Sequence, residues 1–277
     1  MAANVSHAFD IDSPYPLSAA TVAAYSEKGY VKLKQVLEPG VIGKYRAAIT
    51  RKVDELSRER LPLEQRNTYG KAFLQIMNLW TQDAVIREFI FGRRLARIAA
   101  ELMGCQGVRL YHDQALFKEP HGGLTPWHAD QYYWPLATDK TITAWIPLMP
   151  VPAQMGPLGF CPGSHRFQFG RDLEIGDESE ESLKRILARF GCDESPFELG
   201  DVSFHSGWTF HRAGANESDE MREVFTVIYI DRDAHLAAPK NKNQIDDWNQ
   251  WCPGVKVGEV VDSHLNPIVY ESSDAVG

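Results

Sequence analysis

The stretch TPWHADQYYWP, Thr125 to Pro135, packs a histidine, an aspartate two places later and four large aromatics into eleven positions. Read as a strand, its side chains alternate between two faces, so His128 and Asp130 project together and Ala129 points away. One imidazole and one carboxylate then reach a single ion. Two histidines and a carboxylate on one face of an ion are the ligands of non-haem Fe(II) oxygenases, because they leave positions free for a cosubstrate and O2. The bare triplet also occurs as a hydrogen-bonded pair at a strand end, so the reading turns on a third ligand.

Around this stretch the chain has the texture of β structure. VRLYHDQALFK, TITAWIPLM, VSFHSGW and EVFTVIYID are short β-branched or aromatic runs separated by Gly, Pro and Asp clusters. They predict antiparallel strands from about residue 105 to 235. Upstream, residues 18–104 read as mainly helical. Ser18 caps AATVAAYSEKGY, Gly29 ends it, and YVKLKQVL alternates as a strand. Within EPGVIGKYRAAITRKVDELSRER, Val41, Tyr45, Ile49 and Val53 recur at helical spacing. Residues 60–81 read as polar and irregular with LQIMNLW as an apolar island, and DAVIREFIFGRRLARIAAELMG reads as one or two helices closed by Gly104. The tail, 236–277, reads as having little regular structure. No repeat or flexible linker divides the halves, so the expectation is one domain, 1–277, with helices packed outside a barrel or sandwich.

Composition removes several classes of function. The chain carries 29 Lys and Arg against 37 Asp and Glu, a net charge of −8, which offers no basic surface for nucleic acid or an anionic membrane. No segment is apolar enough to span a bilayer, and the N-terminus lacks the pattern of a secretion signal, so a cytoplasmic location is expected. Cys105, Cys161, Cys192 and Cys252 follow no metal-type spacing and read as reduced packing residues.

For the third ligand, His112, His121, His165, His205 and His211 are available. In TFHRAGANESDEMREVFTVIYID a polar loop separates two strand-like ends; if it closes symmetrically, His211 lies across from Arg222. Arginine binds a carboxylate through two parallel charge-assisted hydrogen bonds, so an Arg beside a metal ligand suits a dicarboxylate that chelates the metal, implying 2-oxoglutarate. Arg222 has a simpler reading as a surface ion pair with Glu217, Asp219, Glu220 or Glu223. His205 rivals His211, since an even separation keeps both on one face of an unbroken strand.

LFKEPHGGLTPWHAD, TAWIPLMPVPAQMGPLGFCPGSH, GDVSFHSGWTFHRAGAN and MREVFTVIY, in that order, resemble the phytanoyl-CoA dioxygenase family of Fe(II)/2-oxoglutarate-dependent oxygenases. The resemblance covers most of the strand-rich half. It implies a double-stranded β-helix (jelly-roll) core, with His128, Asp130 and His211 as iron ligands and Arg222 on the distal carboxylate of 2-oxoglutarate. It favours His211 over His205, because the family's second histidine stands just before the turn containing Asn216. Gln114 and Trp145 match positions lining the cosubstrate pocket, Gln75 matches another contact loosely, and Thr143 shares a strand face with Trp145. Many relatives carry Gln between the first two ligands and Ser two places after the last histidine; Ala129 and Ala213 stand there here.

The resemblance implies Fe(II) as cofactor, 2-oxoglutarate and O2 as cosubstrates, and no catalytic residue beyond the metal ligands. Asp130 stands where halogenating relatives leave room for chloride, so hydroxylation is expected, releasing succinate and CO2. A small free metabolite is preferred to a coenzyme A thioester, given the acidic balance. By alternation Tyr132 is expected on the metal-facing side, with Trp127 and Tyr133 as further pocket candidates. The alternatives are a cupin-type metal-dependent isomerase or hydrolase, and a metabolite-binding module without turnover.

Overall fold

The computed structural model describes residues 9–57 and 61–272. Both ends of the expected 1–277 domain, and the last three residues of EPGVIGKYRAAITRKVDELSRER, lie outside the described residues.

The first hundred residues alternate helices with short strands: α1 (Ala19–Lys28), β1 (Tyr30–Leu33), α2 (Pro39–Leu56), α3 (Thr68–Ala72), β2 (Leu74–Met77), α4 (Ala84–Ile90) and α5 (Arg93–Met103). Local chemistry sets their limits. The Ser18 hydroxyl accepts the Thr21 N–H at the start of α1, and Gly29, at φ +81°, ends it in the left-handed conformation. Pro39 opens α2, where its missing N–H costs nothing. Asp83 accepts the N–H groups of Val85 and Ile86 to begin α4. The rest comprises β3 (Gly107–Phe117), β4 (Thr125–His128), β5 (Thr141–Pro147), β6 (Leu158–Phe160), α6 (Asp177–Leu187), β7 (Val202–Ser206), β8 (His211–Ala213), β9 (Val224–Asp231), α7 (Lys242–Trp251) and β10 (Ile268–Glu271).

The strands form two antiparallel sheets. The larger runs β1-β7-β5-β9-β3-β10, with β2 also on β3, and the smaller runs β4-β8-β6. Side chains of both sheets line one cavity, which gives the double-stranded β-helix core. On β9, Phe225, Val227 and Tyr229 point outward into the main apolar cluster with Tyr45, Ile49, Phe89 and Ala96 of the helices. The residues between them face inward. On β5 the outward set is Ile142, Ala144 and Ile146, leaving Thr141, Thr143 and Trp145 inside. The outer face therefore carries the core and the inner face the polar groups.

Strand β3 changes parity. Its pairing with β9 slips between Leu110 and His112, and this bulge turns both Tyr111 and His112 away from the helical layer. Val108 and Leu110 face outward before the slip, Ala115 and Phe117 after it. Gln114 faces the cavity only because of that extra residue.

Three expectations need correction. The tail holds α7 and β10, so it is not irregular: Asn241 caps α7 by accepting the Gln244 N–H, and β10 pairs with the start of β3. The segment 60–81 contains β2, whose LQIM pairs with β3 from Gln114 to Phe117. The symmetric hairpin across residues 210–224 does not form: β8 pairs with β4 and β6, while Arg222 bridges Lys118 beside the larger sheet. His211 and Arg222 are thus not cross-strand neighbours, although both line the cavity.

Candidate metal centre

His128 closes β4 and stands opposite His211 of β8, their ring centroids 4.1 Å apart. Each imidazole is held from behind. Nδ1 of His128 donates to the Pro126 carbonyl at 2.7 Å and Nδ1 of His211 to the Thr209 carbonyl at 2.9 Å. A carbonyl only accepts, so both protons sit on Nδ1 and both Nε2 lone pairs are free. Burial holds both imidazoles down to about 4, hence neutral, as metal ligation requires.

The strand stops at His128; Ala129 is extended and Asp130 begins a 3-10 turn to Tyr133. Oδ1 of Asp130 lies 3.6 Å from Nε2 of His128 and 3.6 Å from Nε2 of His211. Its other oxygen is occupied: Oδ2 accepts from the Thr143 hydroxyl at 3.1 Å and from Nε2 of His205 at 3.4 Å. Burial pushes this carboxyl up, but His211, His205 and His128 pull it further down, so it is ionised. Among the described residues His128, Asp130 and His211 form the one group able to hold a metal, their ligand atoms within 4.8 Å of one another. Thr143 and His205 are directly paired across β5 and β7 and grip one oxygen of Asp130, leaving the other turned to the ion. His205 thus stands behind the carboxylate, and the hydroxyl of Thr143 serves Asp130.

Arg222 is the second feature of the cavity. It is buried, and its Nη1 donates to the Gly156 carbonyl at 2.6 Å, while Nε has no partner. Among the described residues no carboxylate pairs with it, so the ion pairs with Glu217, Asp219, Glu220 or Glu223 do not form; Glu223 instead pairs with Arg46. Burial pushes the guanidinium down to about 9. A lone buried cation is costly unless an anion completes it. Trp145 lies 5.7 Å from the guanidinium, and Thr125, Ala213 and Thr226 line the space nearby. The cavity thus offers a two-histidine, one-carboxylate set and an unpaired cation, which fits a metal chelated by a dicarboxylate.

The remaining predicted positions divide. Gln75 donates to Gln114 at 2.7 Å and accepts from the Tyr69 hydroxyl, and both glutamines line the cavity. Tyr133 lines it too, its hydroxyl accepting the Ile175 N–H. Trp127 and Tyr132 do not. Trp127 packs behind β4 with Leu183, Leu187 and Phe210. Tyr132 faces a separate surface hollow beside Asn241 and Gln244, because the 3-10 turn breaks the alternation expected after His128.

A sequence model of phytanoyl-CoA dioxygenase (PhyH) matches residues 25–224. The chain belongs to the phytanoyl-CoA dioxygenase family. It is a Fe(II)/2-oxoglutarate-dependent dioxygenase, with O2 as the other cosubstrate. Among its relatives, a probable alpha-ketoglutarate-dependent hypophosphite dioxygenase of Stutzerimonas stutzeri is 24% identical over 76% of this chain and 77% of its own. An ectoine dioxygenase of the same species is 22% identical over 81% and 80%. The solved structure of the non-heme alpha ketoglutarate dependent carbocyclase SnoK from nogalamycin biosynthesis superposes with a TM-score of 0.77 at 27% identity, over 93% of this chain and all of its own. EctD from S. alaskensis, solved with 2-oxoglutarate and 5-hydroxyectoine, shares the fold at 20% identity and a TM-score of 0.66, over 82% of this chain and 83% of its own.

Two kinds of site residue are not legible in the sequence. His205 was visible as a rival ligand, but its role behind Asp130 needs the β5–β7 register. The wall supplied by α7 has no apolar stripe to mark it in the sequence; the cap Asn241 followed by KNQIDDWNQW is the available signal.

Proposed function

We propose that this dioxygenase hydroxylates a small free metabolite, with His128, Asp130 and His211 holding iron and Arg222 binding the distal carboxylate of 2-oxoglutarate. The observation that carries the reading is Arg222, a buried guanidinium with an orphaned Nε in the same cavity as the ligand trio. A metal-dependent isomerase or hydrolase would need such a cation only for an anionic substrate. Bound iron would supply the site at which O2 is reduced, two electrons coming from the decarboxylation of 2-oxoglutarate to succinate and CO2 and two from the substrate C–H bond, with one oxygen atom going to succinate and one to the hydroxylated product. The chain's own part is to fix the ligands and position the substrate. Pro126 and Thr209 lock the imidazoles, Thr143 and His205 lock the carboxylate, and Gln75 and Gln114 crosslink β2 to β3 beside the pocket. The occupied carboxylate position at Asp130 supports hydroxylation over halogenation. The absence of any Lys or Arg but Arg222 in the cavity lining of the described residues supports a substrate without coenzyme A phosphates.

Anaerobic addition of Fe(II) and then 2-oxoglutarate tests this. The expected result is a weak visible charge-transfer band that needs both additions, disappears in Asp130→Ala, and in Arg222→Ala requires about tenfold or more 2-oxoglutarate. A metal-replete protein that shows no band and binds no 2-oxoglutarate would refute the proposal.

A further inference from the structure

Helix α7 forms one wall of the cavity. Asn243, Asp246, Asp247, Gln250 and Trp251 line it at spacings of three and four, one face of a helix. Asp246 is bridged to Lys242 one turn earlier on the solvent side. Asp247 is different. It is 9% exposed, and among the described residues its one side-chain hydrogen bond is donated by the Tyr111 hydroxyl to Oδ1. Among the described residues no Lys, Arg or His forms an ion pair with it, and Arg222, the one Lys or Arg in the lining, is a separate orphan. His112 also lines the cavity, but burial keeps it neutral, down to about 3, with its ring among Tyr111, Trp134 and Trp251.

The same space is walled by aromatics: Trp251 and Trp134 with Tyr133, Tyr69 and Phe73. A carboxyl group without a counter-ion that shares a cavity lining with several aromatic rings suits a cation that brings an apolar body with it, since rings attract an ammonium and pack its hydrocarbon. We propose that the substrate presents a protonated amine to Asp247 and lays its apolar body against the wall formed by Trp134, Tyr133 and Trp251. This rests on the reading above that the cavity is a substrate site, and it adds the substrate's chemical class. The bulge in β3 is part of the device: it turns Tyr111 inward, and the Tyr111 hydroxyl fixes one oxygen of Asp247 while the other is left for the ligand.

The test uses a set of ligands with one body and three head groups: 4-phenylbutylamine, 4-phenylbutanol and 4-phenylbutyrate. Each is titrated calorimetrically into protein loaded with Fe(II) and 2-oxoglutarate under anaerobiosis, for wild type and Asp247→Asn. The substitution keeps an acceptor for Tyr111 and the same shape, and an unchanged far-ultraviolet spectrum and charge-transfer band verify its fold. The amine is expected to bind wild type about tenfold or more tightly than the alcohol, with the preference falling to about twofold in Asp247→Asn. Equal binding of amine and alcohol, an undiminished preference in the variant, tightest binding by the carboxylate, or no amine binding at millimolar concentration each overturns the proposal. An amine preference that needs Asp247 in protein showing no 2-oxoglutarate band would uphold this inference while removing the oxygenase reading, so the two fail separately.

Discussion

At the scale of single residues, the centre is built by assigning every atom of its ligands a task. The backbone carbonyls take Nδ1 of His128 and His211; Thr143 and His205 take Oδ2 of Asp130; what remains, two Nε2 and one Oδ1, converges. His205 donates to the carboxylate, so its Nε2 carries a proton and cannot ligate. His205→Gln, which keeps a donor, should therefore still bind one Fe(II) per chain, with affinity lowered by about tenfold as the carboxylate loosens. His211→Ala should lose stoichiometric binding. Anaerobic metal titration reads both, and the reverse pattern would make His205 the ligand. The sequence left these two histidines undecided because both lie on one stretch at even spacing. What separates them is that β7 ends at Ser206 and β8 begins at His211 in the other sheet, a break that Gly207 hints at but no periodicity states.

At the scale of elements, strongly patterned segments were legible and those whose pattern is set by partners were not. Helix α2 shows its apolar stripe at Val41, Tyr45, Ile49 and Val53, and all four are buried. Strands β3, β5, β7 and β9 fall where β-branched runs predicted them. Strand β2 hides in four residues that are strand-like only because β3 pairs with them, and α7 hides because its inward face is polar. That polar face has a measurable signature where α7 meets the β3 bulge. Burial raises the Asp247 carboxyl to about 8 despite the Tyr111 hydrogen bond, against about 3.9 in an unfolded chain. The other groups at this junction, Tyr111 and Cys252, are raised as well and stay neutral, so no cation offsets the cost. Between those two values the folded protein holds a proton that the unfolded chain has lost. Stability therefore falls as pH rises through that window, by up to about 1.4 kcal/mol per unit. Asp247→Asn removes the contribution: the Tm of the variant relative to wild type should rise by several degrees between pH 5 and pH 9. A Tm difference that is the same at both pH values would show that the charge is already compensated.

At the scale of the whole molecule, the larger sheet separates stability from chemistry by face. Its outward residues, with α2, α4 and α5, make the main apolar cluster; its inward residues, among them Gln114, Thr143, Trp145 and His205, line the cavity. Period-two alternation makes this division possible, and the single bulge in β3 preserves it along the longest strand. The two faces should then respond differently to substitution. Ile49 is fully buried in the outer cluster, and Ile49→Ala should cost about 2–5 kcal/mol, lowering Tm by roughly 5–15 °C. The dissociation constants for Fe(II) and 2-oxoglutarate should stay within about twofold of wild type, because the hydrogen bonds that hold the ligands lie on the inner face, across the sheet from the cavity the substitution leaves. Thr143→Ala should do the opposite, weakening the metal about tenfold with a small change in the Tm of metal-free protein. Saturating metal and 2-oxoglutarate should raise the Tm of both, since only the folded chain binds them. Thermal melts of metal-free and loaded protein, run beside metal titrations, measure all of this. If Ile49→Ala weakens metal binding in proportion to its loss of stability, the outer layer helps to form the centre and the division by face is wrong.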